Sequence, residues 1–157
     1  MLNQKNIVLD INVAIKQKRF SSKKEKVLVN LLYTTNWIRD QHSKIFKKYK
    51  ILPQHYNVLR IVLGQDPKPV SPGYILEVML DKKRDLTRLV DKLTRLGYLN
   101  RQVCENNRRM VDITITPKGK KIAEEIKGKL TEWLDKNIQL TDEESEALSN
   151  YLDNLRG

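Results

Sequence analysis

Within seven residues the chain places Lys82, Lys83, Arg84, Asp85, Thr87 and Arg88, and nineteen residues after Arg88 it places Asn107, Arg108 and Arg109. Arginine offers a planar fork of donors that fits guanine O6 and N7, or a phosphate. Threonine offers a hydroxyl and a methyl group, and lysine a mobile cation. This is chemistry for holding a polyanion and reading its edges. Ser71, at the head of the preceding segment, joins the same contact set. A guanidinium from Arg108 or Arg109 on a projecting turn suits a narrow, electronegative minor groove beside the major-groove contact. Bond-breaking chemistry has no comparable support. His42 and His55 are the only histidines and stand on separate segments, and Cys104 is the only cysteine. A metal site needs several such ligands at close spacing. No nucleophile–base pair, glycine-rich phosphate loop or paired carboxylates stand out, so neither an enzyme nor a cofactor is expected.

The elements that must carry these residues follow from periodicity. Leu86, Leu89, Val90, Leu93 and Leu96 recur at helical spacing and Gly97 stops the run, so Thr87 and Arg88 fall on the opposite face. Ser71 and Pro72 form an N-cap and first helical position, opening a short helix to about Leu80. Two helices joined by a short turn through Asp81 and Lys82 make a helix-turn-helix. Tyr98–Cys104 and Met110–Thr116 read as paired strands, the second alternating Val111, Ile113 and Ile115 with polar residues, and Glu105–Arg109 as the turn between them. Upstream, Ser22 and Glu25 have capping-box spacing at the start of a helix of about 28 residues, some 40 Å long. Its apolar stripe is longer than a small core covers and calls for a partner helix. Pro53 opens a further helix that ends near Gly64. Thr116 and Pro117 open a long helix, and Thr141 caps a last one bearing Ala147, Leu148, Tyr151, Leu152 and Leu155. Residues 1–20 carry a weak amphipathic pattern in Ile7, Ile11, Ala14 and Ile15, that of a short helix or a partly ordered arm. The order α-α-α-α-β-β-α-α is mainly α with a small β-hairpin wing: a winged helix-turn-helix with long N- and C-terminal dimerisation helices. The boundaries are 1–50 for the arm and first dimerisation helix, 51–116 for the reading head, and 117–157 for the C-terminal helices.

Charge sharpens the partner. The 157 residues carry a formal net charge of +11, which favours nucleic acid or another polyanion. Lys16 to Lys50 holds eleven basic and two acidic residues, and Lys82 to Arg109 nine and three; from Thr131 onward the balance is two and seven. The acidic tail would be repelled by nucleic acid and suits the basic helix surface of its own or a partner subunit. A lone cysteine allows no internal disulfide and fits a cytoplasmic protein. Asp10 interrupts the one apolar stretch near the N-terminus, so no signal peptide is expected, and no run is long enough for a membrane span.

The residues also carry a family resemblance. Thr87-Arg88-Leu89-Val90-Asp91-Lys92-Leu93, Gly97-Tyr98-Leu99, Ile115-Thr116-Pro117-Lys118-Gly119, and upstream Leu52-Pro53-Gln54-His55-Tyr56-Asn57-Val58-Leu59-Arg60 resemble the MarR family of bacterial regulators over roughly Ser22 to Leu155. That resemblance implies a homodimeric winged-helix transcription factor, a repressor rather than an activator, that binds a pseudo-palindromic duplex and responds to a small-molecule effector. It implies that Lys82 to Arg88 read DNA and that Arg109 is the wing-tip arginine. The family's Asp-x-Arg at the wing is here Asn107-Arg108-Arg109, so the residue that steadies Arg109 accepts a hydrogen bond without a charge. Oxidant-sensing members use a cysteine near the first helices; Cys104 lies in the wing and does not fit that role. Tyr33, Trp37 and Tyr56 are the candidate lining of an effector pocket. The other reading of the same residues is a protein-interaction module whose basic face meets an acidic partner.

Overall fold

The computed structural model describes residues 10–83, 85–104 and 107–157, with the backbone alone described at 104 and 107–110. The elements are α1 (Ile11–Ala14), α2 (Lys23–Lys47), α3 (Pro53–Gln65), α4 (Pro72–Val78), α5 (Leu86–Arg95), β1 (Leu99–Cys104), β2 (Asn107–Ile115), α6 (Pro117–Asn137) and α7 (Asp142–Arg156). This is the expected mainly helical order with a hairpin wing. The chain divides into two compact units, one ending at Lys44 and the other spanning Ile45–Gly157.

In the first unit, the Asp10 carboxylate accepts from the Asn12 N–H to cap the single turn of α1, and pairs with Lys26 Nζ at 3.1 Å. Ser22 caps α2 as its spacing predicts, its Oγ accepting from the Glu25 N–H at 3.0 Å. The return arm of the capping box is shared: the Glu25 carboxylate accepts from the Ser21 N–H and hydroxyl as well as from the Ser22 backbone.

The second unit holds the core. Val58, Leu59 and Val62 of α3, Ile75 and Met79 from α4 and its C-cap, Leu86, Leu89, Val90 and Leu93 of α5, Leu99, Ile113 and Ile115 of the strands, and Ile126 of α6 form one buried cluster. At roughly 1.5–3 kcal/mol for each fully buried large apolar side chain, this cluster dominates the stability of the unit. Helix starts are capped locally. Ser71 accepts from the Tyr74 N–H, Thr116 from the Gly119 N–H, and Thr141 from the Glu144 N–H. At α3 the cap is His55, whose Nδ1 accepts the Leu52 N–H at 3.1 Å in the position that a glutamate occupies in a capping box. Burial, the charge of Lys92 and the bond to Leu52 bear on this imidazole, and the net effect holds its pKa below the usual histidine value. The neutral ring is the form that can accept.

β1 and β2 are antiparallel, with Leu99 opposite Ile115 and Val103 opposite Val111. The turn expected over Glu105–Arg109 is shorter than that, because Asn107 already pairs with Cys104 and begins β2. The register shifts between Val103 and Cys104, so Arg108, Arg109 and Met110 are extra residues on β2 with no counterpart on β1. Val70 adds a further rung to the sheet: its N–H donates to the Ile113 carbonyl at 2.9 Å, and the Ile113 N–H donates back at 3.0 Å. No helix among the described residues is long and apolar enough to cross a membrane.

Two glycines in α6 have opposite surroundings. A Cβ on Gly119 would stand 2.1 Å from the Tyr98 carbonyl oxygen, whereas one on Gly128 would meet nothing within 4 Å. Gly119→Ala is therefore expected to cost about 3 kcal/mol, the upper end of the usual overpacking range, since the clash is with backbone. Gly128→Ala is expected to add about 1 kcal/mol by helix propensity. Urea unfolding of the two variants checks both signs; equal effects would mean that the close packing of Gly119 on Tyr98 is wrong.

Candidate nucleic-acid interface

α5 is amphipathic in the sense needed for reading a groove. Leu86, Leu89, Val90 and Leu93 are buried, while Thr87, Arg88, Thr94 and Arg95 face solvent. The Arg88 side chain is 88% exposed. Asp85 is the N-cap: one carboxylate oxygen accepts the Arg88 N–H at 3.2 Å and the other pairs with Arg88 Nε at 3.1 Å. Its first role is thus to start the helix and orient the guanidinium beside it. Such an exposed pair contributes at most about 1 kcal/mol, so a phosphate or base edge can displace it.

The other sequence-predicted residues are placed as follows. Lys82 and Lys83 are exposed in the turn ahead of α5, with the Lys83 N–H bonded to the Asp81 carboxylate. Arg84 lies outside the described residues. Ser71 caps α4, its Oγ accepting the Tyr74 N–H at 3.2 Å. Asn107, Arg108 and Arg109 lie on β2, and their side chains are outside the description. Tyr33 and Trp37 are exposed on α2. Tyr56 lines a cleft of about 520 Å³ between α3 and α6, with Arg60, Leu63, Lys127, Leu130 and Leu134.

Three contacts that no local sequence pattern announces hold α5 in place. Arg101 Nη1 on β1 pairs with Asp91 Oδ1 on α5 at 3.0 Å, setting the wing against the helix. Lys118 Nζ donates to the Leu96 carbonyl at 2.8 Å, where a cation complements the negative end of the α5 dipole. Thr116 Oγ1 donates to the Gly97 carbonyl at 2.7 Å while accepting the Gly119 N–H, so the end of α5 and the start of α6 share one hydroxyl.

A buried leucine face, a capped and exposed polar face, and an adjoining two-stranded wing are the parts of a winged helix-turn-helix reading head. A structure of a MarR-like transcription regulator from Bacillus cereus ATCC 10987 superposes with a TM-score of 0.74, over 85% of this chain and 95% of that one, at 19% identity. This is the fold of the MarR-family regulators. The MarR fold also matches the structure of a complex of MepR from S. aureus with DNA (TM-score 0.71, 17% identity, 80% of this chain and 91% of that one). It matches RdhR-CbdbA1625, an organohalide-sensing regulator in its 2,4-dichlorophenol-bound form (TM-score 0.73, 18% identity, 87% and 81%). Among curated proteins, the HTH-type transcriptional regulator PecS of Dickeya dadantii (strain 3937) is 31% identical over 78 residues, 49% of this chain and 47% of PecS. The HTH-type transcriptional regulator PapX of Escherichia coli is 29% identical over 97 residues, 61% of this chain and 59% of PapX. The chain thus spans about half the length of the curated relatives it matches. No family model matches it.

The MarR-type head predicts a division of labour within α5. Asp85→Ala should lower the unfolding free energy by about 1 kcal/mol through loss of the cap, while Asp85→Asn should retain most of it. Thr87→Ala and Arg88→Ala should change it by less than about 0.5 kcal/mol, because both side chains are exposed and the Asp85–Arg88 pair lies in water. Denaturant titration reads all four. A loss with Arg88→Ala as large as with Asp85→Ala would make the arginine a structural residue and not a free reading group.

Proposed function

We propose that this protein is a sequence-specific DNA-binding transcriptional regulator that acts as a homodimer on a pseudo-palindromic duplex, and that it represses. The observation that carries the reading is the outward face of α5, where Thr87 and Arg88 project from a helix whose other face is locked into the core. The shared fold with a regulator solved on DNA supports it. Two copies of α5 entering successive major grooves require half-sites about one helical turn apart.

The dimer is supported by apolar surface left uncovered in the single chain. α7 buries none of its residues, and Leu148, Tyr151 and Leu155 are exposed, as are Val27, Leu28 and Leu32 on α2. The acidic α7, with Asp142, Glu143, Glu144 and Glu146, complements the lysines at the start of α2 in a second copy. An effector is proposed to bind the cleft at Tyr56, where apolar walls meet Arg60 and Lys127. The cleft lies between α3 and α6, and α6 begins at the Thr116 hydroxyl bonded to the last turn of α5. A ligand that favours one spacing of α3 and α6 would therefore favour one setting of the reading helix, and would release DNA through its differential affinity for the two states.

Selection from a random duplex pool at physiological salt tests the proposal. The expected result is an inverted repeat with half-sites about one turn apart, bound with roughly 1–3 kcal/mol less affinity by Arg88→Ala. The selected duplex then serves as the probe for effectors such as phenols, whose action should be lost in Tyr56→Ala. Recovery of no motif, with binding that disappears as salt rises, would leave only nonspecific attraction to polyanions and would overturn the reading.

A further inference from the structure

Leu80 is the most exposed large apolar residue among those described, at 83%. A single exposed leucine on an ordinary surface means nothing. This one stands in the turn between α4 and α5, two residues before Lys82, three before Lys83 and five before the Asp85 cap. Its backbone is fixed. Asn57, only 7% exposed, accepts the Leu80 N–H through Oδ1 at 2.9 Å, and the neighbouring Met79 is buried with its N–H bonded to the Ile75 carbonyl. The main chain is thus held at Met79 and at Leu80 itself, and the side chain is left exposed in the turn that leads to Lys82, Lys83 and the proposed reading helix.

A leucine in that place can neither donate nor accept a hydrogen bond. The one apolar group on a base edge in the major groove is the 5-methyl of thymine. We infer that Leu80 is a specificity-determining residue that packs on the methyl group of one thymine in each half-site. The inference rests on the reading of α5 as the base-reading helix and deepens it: the turn ahead of the helix reads a base by shape where Thr87 and Arg88 read by hydrogen bonds. The flanking lysines hold the adjacent phosphates and keep the leucine at the groove.

The test replaces each thymine of the selected duplex, one at a time, by deoxyuridine, which lacks only the methyl group. The full-length wild-type protein should lose roughly three- to fivefold in affinity at one thymine per half-site, the amount one buried methyl group provides. Leu80→Ala should bind the thymine duplex more weakly by a similar factor and be indifferent to deoxyuridine at that position, whereas Leu80→Met should keep the discrimination. The unfolding midpoint of Leu80→Ala should match wild type, because the side chain is exposed. Weakened binding of Leu80→Ala with no thymine at which the two proteins differ would assign Leu80 to the sugar–phosphate backbone and overturn the inference, leaving the DNA-binding reading intact. Failure of the wild-type protein to select any motif would remove both.

Discussion

The threonine hydroxyl of Thr116 is the constraint on which the reading head depends. It donates to the Gly97 carbonyl, accepts the Gly119 N–H, and belongs to a residue whose own N–H bonds the Tyr98 carbonyl at 3.0 Å. The residue that follows the α5 C-cap, the start of β1, the end of β2 and the first turn of α6 are joined there by these three hydrogen bonds. Gly97 adopts a positive φ of 72° to turn the chain out of α5, a conformation that costs glycine little. Gly119 must lack a side chain for the Tyr98 backbone to approach. Lys118 closes the same joint from the solvent side. A part-buried hydrogen bond of this kind contributes only about 1 kcal/mol net. Its importance is geometric, because it fixes the angle at which a ten-residue helix leaves the core.

The two faces of α5 follow from that anchoring. The leucine face is held by the same cluster that contains Ile113 and Ile126, so the outward face is presented without reorganisation, and little ordering entropy remains to be lost on binding. The polar contacts around it are weak and exposed by contrast. Asp85 with Arg88 is an ion pair in water, whose arginine is suited to exchange its partner for a phosphate or base edge in the proposed complex. Rigid apolar anchoring beneath a replaceable polar surface is what reading a sequence requires.

How much of this was legible in the chain depended on distance. The caps Ser71, Thr116 and Thr141 act on N–H groups three residues away, and the α5 stripe repeats every turn, so both were readable. Asp85 was readable only in part: its spacing from Arg88 is that of a cap, but its place among cations drew attention to contact with a ligand. The role of His55 was hidden because histidine rarely takes the glutamate place of a capping box. Arg101 with Asp91, Lys118 with Leu96 and Val70 with Ile113 join residues far apart in the chain, and no local pattern announces them. The polar run Glu105–Arg109 reads as a turn, but Asn107 pairs with Cys104, and Arg108 and Arg109 lie on β2 as bulge residues without partners on β1, a feature with no signature in polar residue types.

The central claim is that the outward face of α5 lies in the major groove of a duplex. It is tested most directly by tethering. Thr87→Cys, in a background with Cys104→Ala, would be offered the selected duplex carrying a thiol-bearing base at successive positions, and disulfide formation would be mapped. The account predicts cross-linking at one position in each half-site, the two about one helical turn apart. Cross-linking without positional preference, or none at any position while binding persists, would contradict it.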